Sequence, residues 1–470
     1  METDGVFEAF LGRVKDRLET GWLDLVHGGL YVAQGAPDHE GHYRDGVWRN
    51  WTDSYGVRPA AYHLPATEAD LREIVAKAVK LRVVGGGHTF NDSPLSDDTI
   101  ISLDDYDSVL RIDPDAGTIR VQAGIRLRDL NRVLRDHGLG LPVLGSTDAQ
   151  SIAGLVATDL HGTGRDHGFL SEQILALRVI AHDGTVRDVR PGDPLFHAVI
   201  GGLGTCGVVA EVELQAVQAF NLEKSTRMMD RAATEDEVDA VLQANDHVSF
   251  YYIGGADEGE SFRMHCWRHT DAAVTPDWEK IKTRAELADF AISAFLPGIA
   301  AALADMDEDA WLSDVLAPDQ RLVLPGSHGF GRKLFYRHDE IEFGVPFPAW
   351  RACVAEILAL LRARSFFSVV EVRFTPDASR ALLGPGVGRR TAYIELATPM
   401  SQQTDAVYAE AEDILRAYGG QPHLGKKTTF TAGEMRETYG ERYVTFARLR
   451  GEQDPGGKFL NAFTERVLGT

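Results

Sequence analysis

The spacing of apolar residues marks this chain as an α+β protein with two main domains, and three observations carry that reading. Residues 52–217 interleave short strand-like runs with few helical stretches. The next stretch, to about residue 408, mixes strands with a helical insert at 278–315, and the remainder returns to helix and loop. A chain of 470 residues is also long for one core, since roughly 150 residues make a domain.

Residues 1–45 begin with an amphipathic run (Phe7, Phe10, Leu11, Val14, Leu18) and pass into a loop rich in Gly, Asp and His; they read as a packing extension. Thr67 is placed to cap a helix over 68–80, with Leu71, Ile74, Val75 and Ala78 along one face. A strand over 81–84 leads into three glycines. Another at 99–103 precedes a hairpin, 109–112 against 118–121, joined by Asp113-Pro114-Asp115-Ala116-Gly117. Leu127, Leu130, Val133 and Leu134 define a helix that Gly138 stops. Strands at 174–180 and 208–214 follow, the second alternating Val212 and Leu214 with Glu211 and Glu213.

Composition excludes several classes. Apolar residues make up 44% and charged residues 25%, which is ordinary globular composition. A formal net charge of −22 repels phosphate backbones and anionic lipid, so no nucleic-acid or membrane-surface partner is expected. Cys206, Cys266 and Cys353 are far apart and odd in number, with no CxxC pair. That fits a reduced, cytoplasmic setting and no metal centre. The start METDGVFEAF carries acids where a signal peptide needs a basic region. The longest apolar run, 291–304, contains Pro297 and is too short to span a bilayer, so no membrane insertion is expected.

The sharpest motif is Val83-Val84-Gly85-Gly86-Gly87-His88-Thr89-Phe90. Three glycines after a strand let the backbone approach an anionic ligand and ring it with N–H groups. A histidine closing the loop would stand beside that ligand as a nucleophile. The octapeptide alone equally describes a tight turn with a backbone-satisfied histidine. A second loop runs from Gly145 through Ser146 and Ser151 to Gly154 and continues at His161-Gly162-Thr163-Gly164. Ser151 can cap a short helix at Ile152, whose N–H groups would face anionic oxygen. Such loops are usually only loops.

Gly202-Leu203-Gly204-Thr205-Cys206-Gly207 matches the GxGxxG dinucleotide fingerprint, but a helix precedes it and a strand follows. The context is inverted, so it reads as a turn packed under the domain. Farther on, Glu371 and Arg373 share one face of a strand while Val372 points the other way. In a cleft they would orient a hydroxylated substrate; on an exposed face they would be a surface ion pair. Lys426, in the turn-like His423-Leu424-Gly425-Lys426, is by itself better read as solvated than as catalytic.

Together these segments resemble the aldonolactone and alditol oxidases (gulonolactone and arabinonolactone oxidase-like), a subgroup of the vanillyl-alcohol-oxidase family of FAD enzymes. GGGHT is similar to that family's GGGHS, and 145–154 with 161–164 to its second flavin stretch. Glu371-Val372-Arg373-Phe374-Thr375 resembles its substrate-site strand. The run Gly420 to Lys426 resembles G-x-P-H-W-x-K, and Asp454-Pro455 to Asn461 its closing D-P-x-G-x-F-x-N. Two departures stand out: Asp159-Leu160 before HGTG, and Leu424 in place of tryptophan.

The resemblance implies a vanillyl-alcohol-oxidase-type fold, with an FAD-binding domain of two small α/β subdomains and a sheet-containing substrate (cap) domain. The expected division is an extension at 1–50, the FAD-binding domain at 51–218, the cap at 219–408 and a C-terminal segment at 409–470 that packs back on the FAD domain. FAD is the implied cofactor, held by Gly85, Gly86, Gly87, His88, Thr89, Ser146, Ser151, Gly154, His161, Gly162 and Gly164. His88 is the implied covalent attachment point. No cysteine lies between residues 143 and 164, so attachment through one residue is expected. Ser146, Glu371, Arg373 and Lys426 become substrate-site candidates, the last three also catalytic.

The chemistry so implied is hydride transfer from a CH–OH group to flavin N5. Lys426, its pKa lowered by Arg373 and burial, takes the hydroxyl proton, and O2 is the final acceptor, giving hydrogen peroxide. A small polyhydroxylated molecule is the expected substrate, an aldono-1,4-lactone first. An alditol, a sugar-containing natural product, or a dehydrogenase with a non-oxygen acceptor are the alternatives.

Overall fold

The computed structural model describes residues 40–230, 237–254, 261–283, 285–286, 320–332, 337–400 and 404–470. The amphipathic start at 7–18 and most of the helical insert expected at 278–315 lie outside them.

A three-stranded parallel sheet comes first, with Thr99–Ser102 between Ala61–His63 and Leu81–Val84. The helix Glu68–Lys77 makes the crossover that parallel strands require. Thr67 caps it by accepting from the Asp70 N–H, and Leu71 and Val75 pack inward. It ends before residue 80 because Ala78 turns to extended backbone (ψ 143) to enter the next strand.

A five-stranded antiparallel sheet follows, ordered Val186–Val189, Ile174–Ile180, Val208–Gln215, Thr118–Gln122, Val109–Asp113. The helix Leu127–Asp136 buries Leu127, Leu130 and Leu134 beside it and gives way to Gly138 at φ +71, the left-handed position glycine suits. These two sheets are the two small subdomains of the expected FAD-binding domain.

The third sheet has eight strands in the order Gln320–Pro325, Asn221–Asp230, Ser261–Thr270, His247–Gly254, Ser368–Thr375, Thr391–Pro399, His338–Pro346, Gln421–Pro422. All its pairings are antiparallel. The helices Trp350–Ala363 and Asp405–Ala417 bear on it through buried residues such as Ile357, Leu361 and Leu415. The helix Asp405–Ala417 runs straight through the 408/409 division expected from sequence.

The ends of the chain hold the subdomains together. The Phe90 N–H donates to the Gly425 carbonyl at 2.9 Å, and the Leu81 N–H to the Lys458 carbonyl at 2.9 Å. The buried Arg82 guanidinium donates to the carbonyls of Phe459 and Leu203. At the other end, the strands His42–Arg44 and Val47–Arg49 turn at Asp45-Gly46, and the Gly41 N–H donates to the Gly86 carbonyl at 2.9 Å. The extension expected over 1–50 is therefore corrected at its end: residues 41–49 brace the glycine loop. Among the described residues no helix is long and apolar enough to cross a membrane.

Asn461 is the sharpest of these ties. Its side-chain oxygen caps the helix Ala462–Leu468 at the Thr464 N–H, while Nδ2 donates to the carbonyls of Asp92, Ser93 and Leu95. Asn461→Ala removes the cap and strands those acceptors, so urea denaturation should show about 2–3 kcal/mol lost.

Candidate active site

Two glycine loops meet face to face. A Cβ on Gly85 would lie 1.9 Å from Ser151 Oγ, one on Gly86 2.3 Å from the Ala149 carbonyl, and one on Gly87 2.6 Å from Gly41 Cα. Gly87 also sits at φ +66. The triple glycine is thus required first by the packing of one loop on another. The carbonyls of Gly86 and Gly87 are turned back onto the N–H groups of Gly41 and Trp51. Among the described residues the N–H groups of Gly86 and Gly87 reach no backbone acceptor.

The cleft between the loops is lined by Gly85 to Phe90, Ser146, Ser151, Gly154 and His161, and farther along by Glu340, Glu342, Arg373, His423 and Lys426. Buried in its wall are two side-chain acceptors without a partner among the described residues, Thr89 Oγ1 and Gln150 Oε1. In front of Gly154 a Cβ would meet only Ser151 Oγ, at 3.4 Å, and in front of Gly204 nothing within 4 Å. Bare backbone donors, unused acceptors and room for close approach fit a large cofactor with an anionic linker. The His88 ring stacks on Trp51 with centroids 5.3 Å apart, at the end of this cleft nearest the carboxylates.

Three expectations are corrected here. Ser151 does cap the helix Ile152–Ala157, but the first N–H groups of that helix are not open to an anion. Ile152 donates to the Ile125 carbonyl, Ala153 to that of Ala123, and Gly154 to Ser151 Oγ. Gly162 and Gly164 stand outside the cleft wall, where a Cβ would strike Leu144 and His167 carbonyls; they shape the turn that carries His161. The 202–207 loop has the inverted context, with helix Pro194–Val199 before and strand Val208–Gln215 after. Yet it is not packed away, because Leu203, Gly204 and Gly207 form part of the cleft.

The far end of the cleft is built on the eight-stranded sheet. Tyr251, Glu371, Glu395 and Glu342 lie directly opposite one another on four successive strands. Three carboxylates in register repel each other, so cations must stand among them. Arg373 donates to Glu395 at 2.6 Å and also to Glu342, while its Nε is 3.8 Å from Glu371. Arg332 pairs with Glu371 at 2.5 Å, and the Tyr251 hydroxyl donates to the same carboxylate at 2.6 Å. The Arg332 N–H donates to the Ser146 carbonyl at 2.8 Å, joining the cap to the second loop. Glu371 and Arg373 are buried, and Val372 faces the core behind them.

Lys426 is half-buried against Glu340, lies 3.6 Å from Glu395 and sits 4.7 Å from the centre of the Phe90 ring. Burial, with Arg332 adding to it, pushes its ammonium down to about 7. The expected depression is there, but its named neighbour is Arg332 in place of Arg373. Burial works against charge on Glu342, yet Arg373 and His161 hold it well below the usual carboxylate range. Glu371 is held low in the same way by Arg332 and Arg373. Glu395, in the middle of the row, is pushed up to about 8 by burial and by Glu342 and Glu371, against the pull of Arg373.

His161 reaches Glu342 at 3.1 Å and stacks on Tyr393 at 3.7 Å, and burial lowers its pKa; burial takes His423 down to about 4. Ligand atoms of His161, Glu342 and His423 lie within 4.8 Å of one another. In this cluster one Glu342 oxygen is shared by Arg373 and His161.

Glu340, Glu342 and His423 line the cleft; Glu371, Glu395, Tyr251 and Arg332 do not, and are linked to it through Arg373. Of these the sequence reading did not single out Glu340, Glu342, Glu395, Tyr251 and Arg332. The alternation His338-x-Glu340-x-Glu342 between Ile341 and Phe343 was the available signal for two of them. Of the two departures, Asp159 turns away from the cleft at φ +51 to accept from Ser379, and burial raises it to about 6; Leu160 does enter the wall. Leu424 is buried beneath the loop and offers its carbonyl to Asn91.

The D-arabinono-1,4-lactone oxidase family model matches residues 212–467, and an FAD-binding-domain model matches residues 59–190. The chain belongs to the D-arabinono-1,4-lactone oxidase family. The L-gulono-1,4-lactone dehydrogenase of Mycobacterium tuberculosis is 31% identical, over 90% of this chain and 99% of that protein. The L-gulonolactone oxidase of Bos taurus is 27% identical, over 91% and 99%. The alditol oxidase of a Streptomyces species is 29% identical, over 89% and 98%. Cholesterol oxidase from B. sterolicum superposes with a TM-score of 0.71 at 16% identity, covering 91% of this chain and 97% of its own. That likeness shows the vanillyl-alcohol-oxidase-type fold. Family membership and the matched domain make this a flavoprotein with FAD as cofactor.

Gly86→Ala drives a methyl into the Ala149 carbonyl, so the loops must separate. Purified variant should carry little flavin by visible absorbance and lose about 1–3 kcal/mol of stability on thermal unfolding.

Proposed function

We propose that this flavoprotein oxidises a CH–OH group of a small polyhydroxylated, sugar-derived molecule, an aldono-1,4-lactone first, with O2 as the terminal acceptor. The observation that carries the reading is the pair of cations Arg373 and Lys426, both lining the end of the glycine-loop cleft and both close to Glu395. FAD, when bound, supplies the two-electron acceptor. The glycine loops hold its anionic linker, and His88 is the attachment point.

The protein's own groups then divide the work. Lys426, lowered to about 7, is half deprotonated near neutrality and takes the substrate hydroxyl proton on Nζ. Arg373, kept charged chiefly by Glu342 against the cost of burial, faces the oxygen as it gains negative character. Glu371, tied by Tyr251 and Arg332, accepts from a neighbouring substrate hydroxyl. Ser146, whose carbonyl is fixed by Arg332, lines the passage between cofactor and substrate. Relatives named lactone oxidase and lactone dehydrogenase both occur, so a non-oxygen acceptor is the second reading.

Peroxide release measured with L-gulono-1,4-lactone, D-arabinono-1,4-lactone and alditols tests the substrate; no turnover of any of them, with oxygen or an artificial dye, would sink it. Because the free amine is the working form, kcat/KM should rise with pH through about 7. Lys426→Met should lower kcat/KM about 10²–10⁴-fold with flavin content unchanged. After acid precipitation of the wild type, flavin fluorescence should stay in the pellet, and in His88→Ala it should move to the supernatant.

A further inference from the structure

Glu395 has no assigned part in the reaction above, and its place in the sheet is unusual. It lies opposite Glu371 on one side and opposite Glu342 on the other. From the strand Ser368–Thr375 it faces Arg373 at 2.6 Å, and from the loop after Gln421–Pro422 it faces Lys426 at 3.6 Å. Arg332 approaches from the 326–332 segment but is spent on Glu371, and Lys426 is in contact with Glu340. Arg373 must also serve Glu342. One guanidinium is thus shared by two carboxylates, and the middle one has an anion on either flank.

We propose that Glu395 is a positioning residue that stands in the resting enzyme as a neutral carboxylic acid, and that its ionisation ends turnover at high pH. The inference rests on the oxidative reading of the cleft. Burial and the two flanking carboxylates raise Glu395 to about 8, in agreement with the geometry. While the group is neutral, Arg373 is hydrogen-bonded to one anion, Glu342, with Glu371 3.8 Å from its Nε, and keeps charge to present to a developing oxyanion. Once it ionises, Arg373 faces two full anions and a third negative charge stands beside the reacting oxygen. A neutral Glu395 also adds no negative charge beside Lys426, which keeps the amine within reach of its free base.

The test compares wild-type holoenzyme with Glu395→Gln and Glu395→Asp. In the wild type and Glu395→Asp, kcat/KM should fall about tenfold per pH unit above the ionisation near 8. In Glu395→Gln that fall should be absent, while the acid limb set by Lys426 remains. A second readout does not depend on catalysis. The folded-state pKa lies above the unfolded value, so the folded protein binds this proton more tightly. Its stabilising effect is complete below about 4.5 and is lost as pH rises to about 8. Wild-type Tm should therefore fall relative to Glu395→Gln over that window.

An infrared difference spectrum of the wild type across pH 8 should show one buried carboxylic-acid band disappear, and it needs no variant to fold. If Glu395→Gln keeps the alkaline fall, or if no such band and no Tm difference are found, the proposal is overturned. If instead no lactone or alditol is turned over, the oxidative reading fails, and the Tm and infrared results still decide the state of Glu395.

Discussion

Arg373 sits where three carboxylates meet, and the far end of the cleft depends on it. It donates to Glu342 and Glu395 and approaches Glu371, each on a neighbouring strand of one sheet. Buried like charges in register are tolerable only with a cation among them, and removing such a cation from a buried cluster costs about 3–5 kcal/mol. The same guanidinium that holds the carboxylates together also lines the cleft, and in the proposed reaction it is the group that faces the substrate. Structure and function share one residue here, which is why its neighbours are so strongly shifted.

That arrangement sets the division of labour around it. Glu342, with Arg373 on one side and His161 on the other, stays anionic; Glu371 stays anionic through Arg332. The proton that the row must hold falls to the middle member. Lys426 is charged only as far as Glu340 and burial allow, and burial wins near neutrality. The base and the oxyanion-facing cation of the proposed reaction can therefore coexist around one carboxyl group. In water, two such cations and four carboxylates would simply stay charged.

Much of the fold was legible because its signals are local. Thr67, Gly138 and the alternation in 208–214 each specify their own element, and each element formed where its residues placed it. The glycine loop and the Glu371-x-Arg373 strand were legible as motifs for the same reason. The carboxylate row was not, since Glu342, Glu395 and Glu371 are brought together by strand order and register, which no local pattern encodes. Arg332 left no signal at all, because its partners are Glu371 and the Ser146 carbonyl, both far away in sequence. The bracing of the glycine loop by Gly41 and Trp51 was hidden likewise.

The triple glycine itself changes meaning in this light. Read as a motif, it frees the backbone to approach a ligand. In the structure each glycine is first demanded by protein: Ser151, the Ala149 carbonyl and Gly41 already fill the space a side chain would need. The two functions are one geometry. Because the second loop presses against the Cα atoms and the 41–51 segment takes the carbonyls of Gly86 and Gly87, the peptide planes that follow these two residues are held in place. A glycine loop without those neighbours would be free to rotate its peptides and would have to be ordered by the ligand at an entropic cost. The shape of the loop is thus set by packing before any ligand arrives, while in front of Gly154 and Gly204 the space stays open.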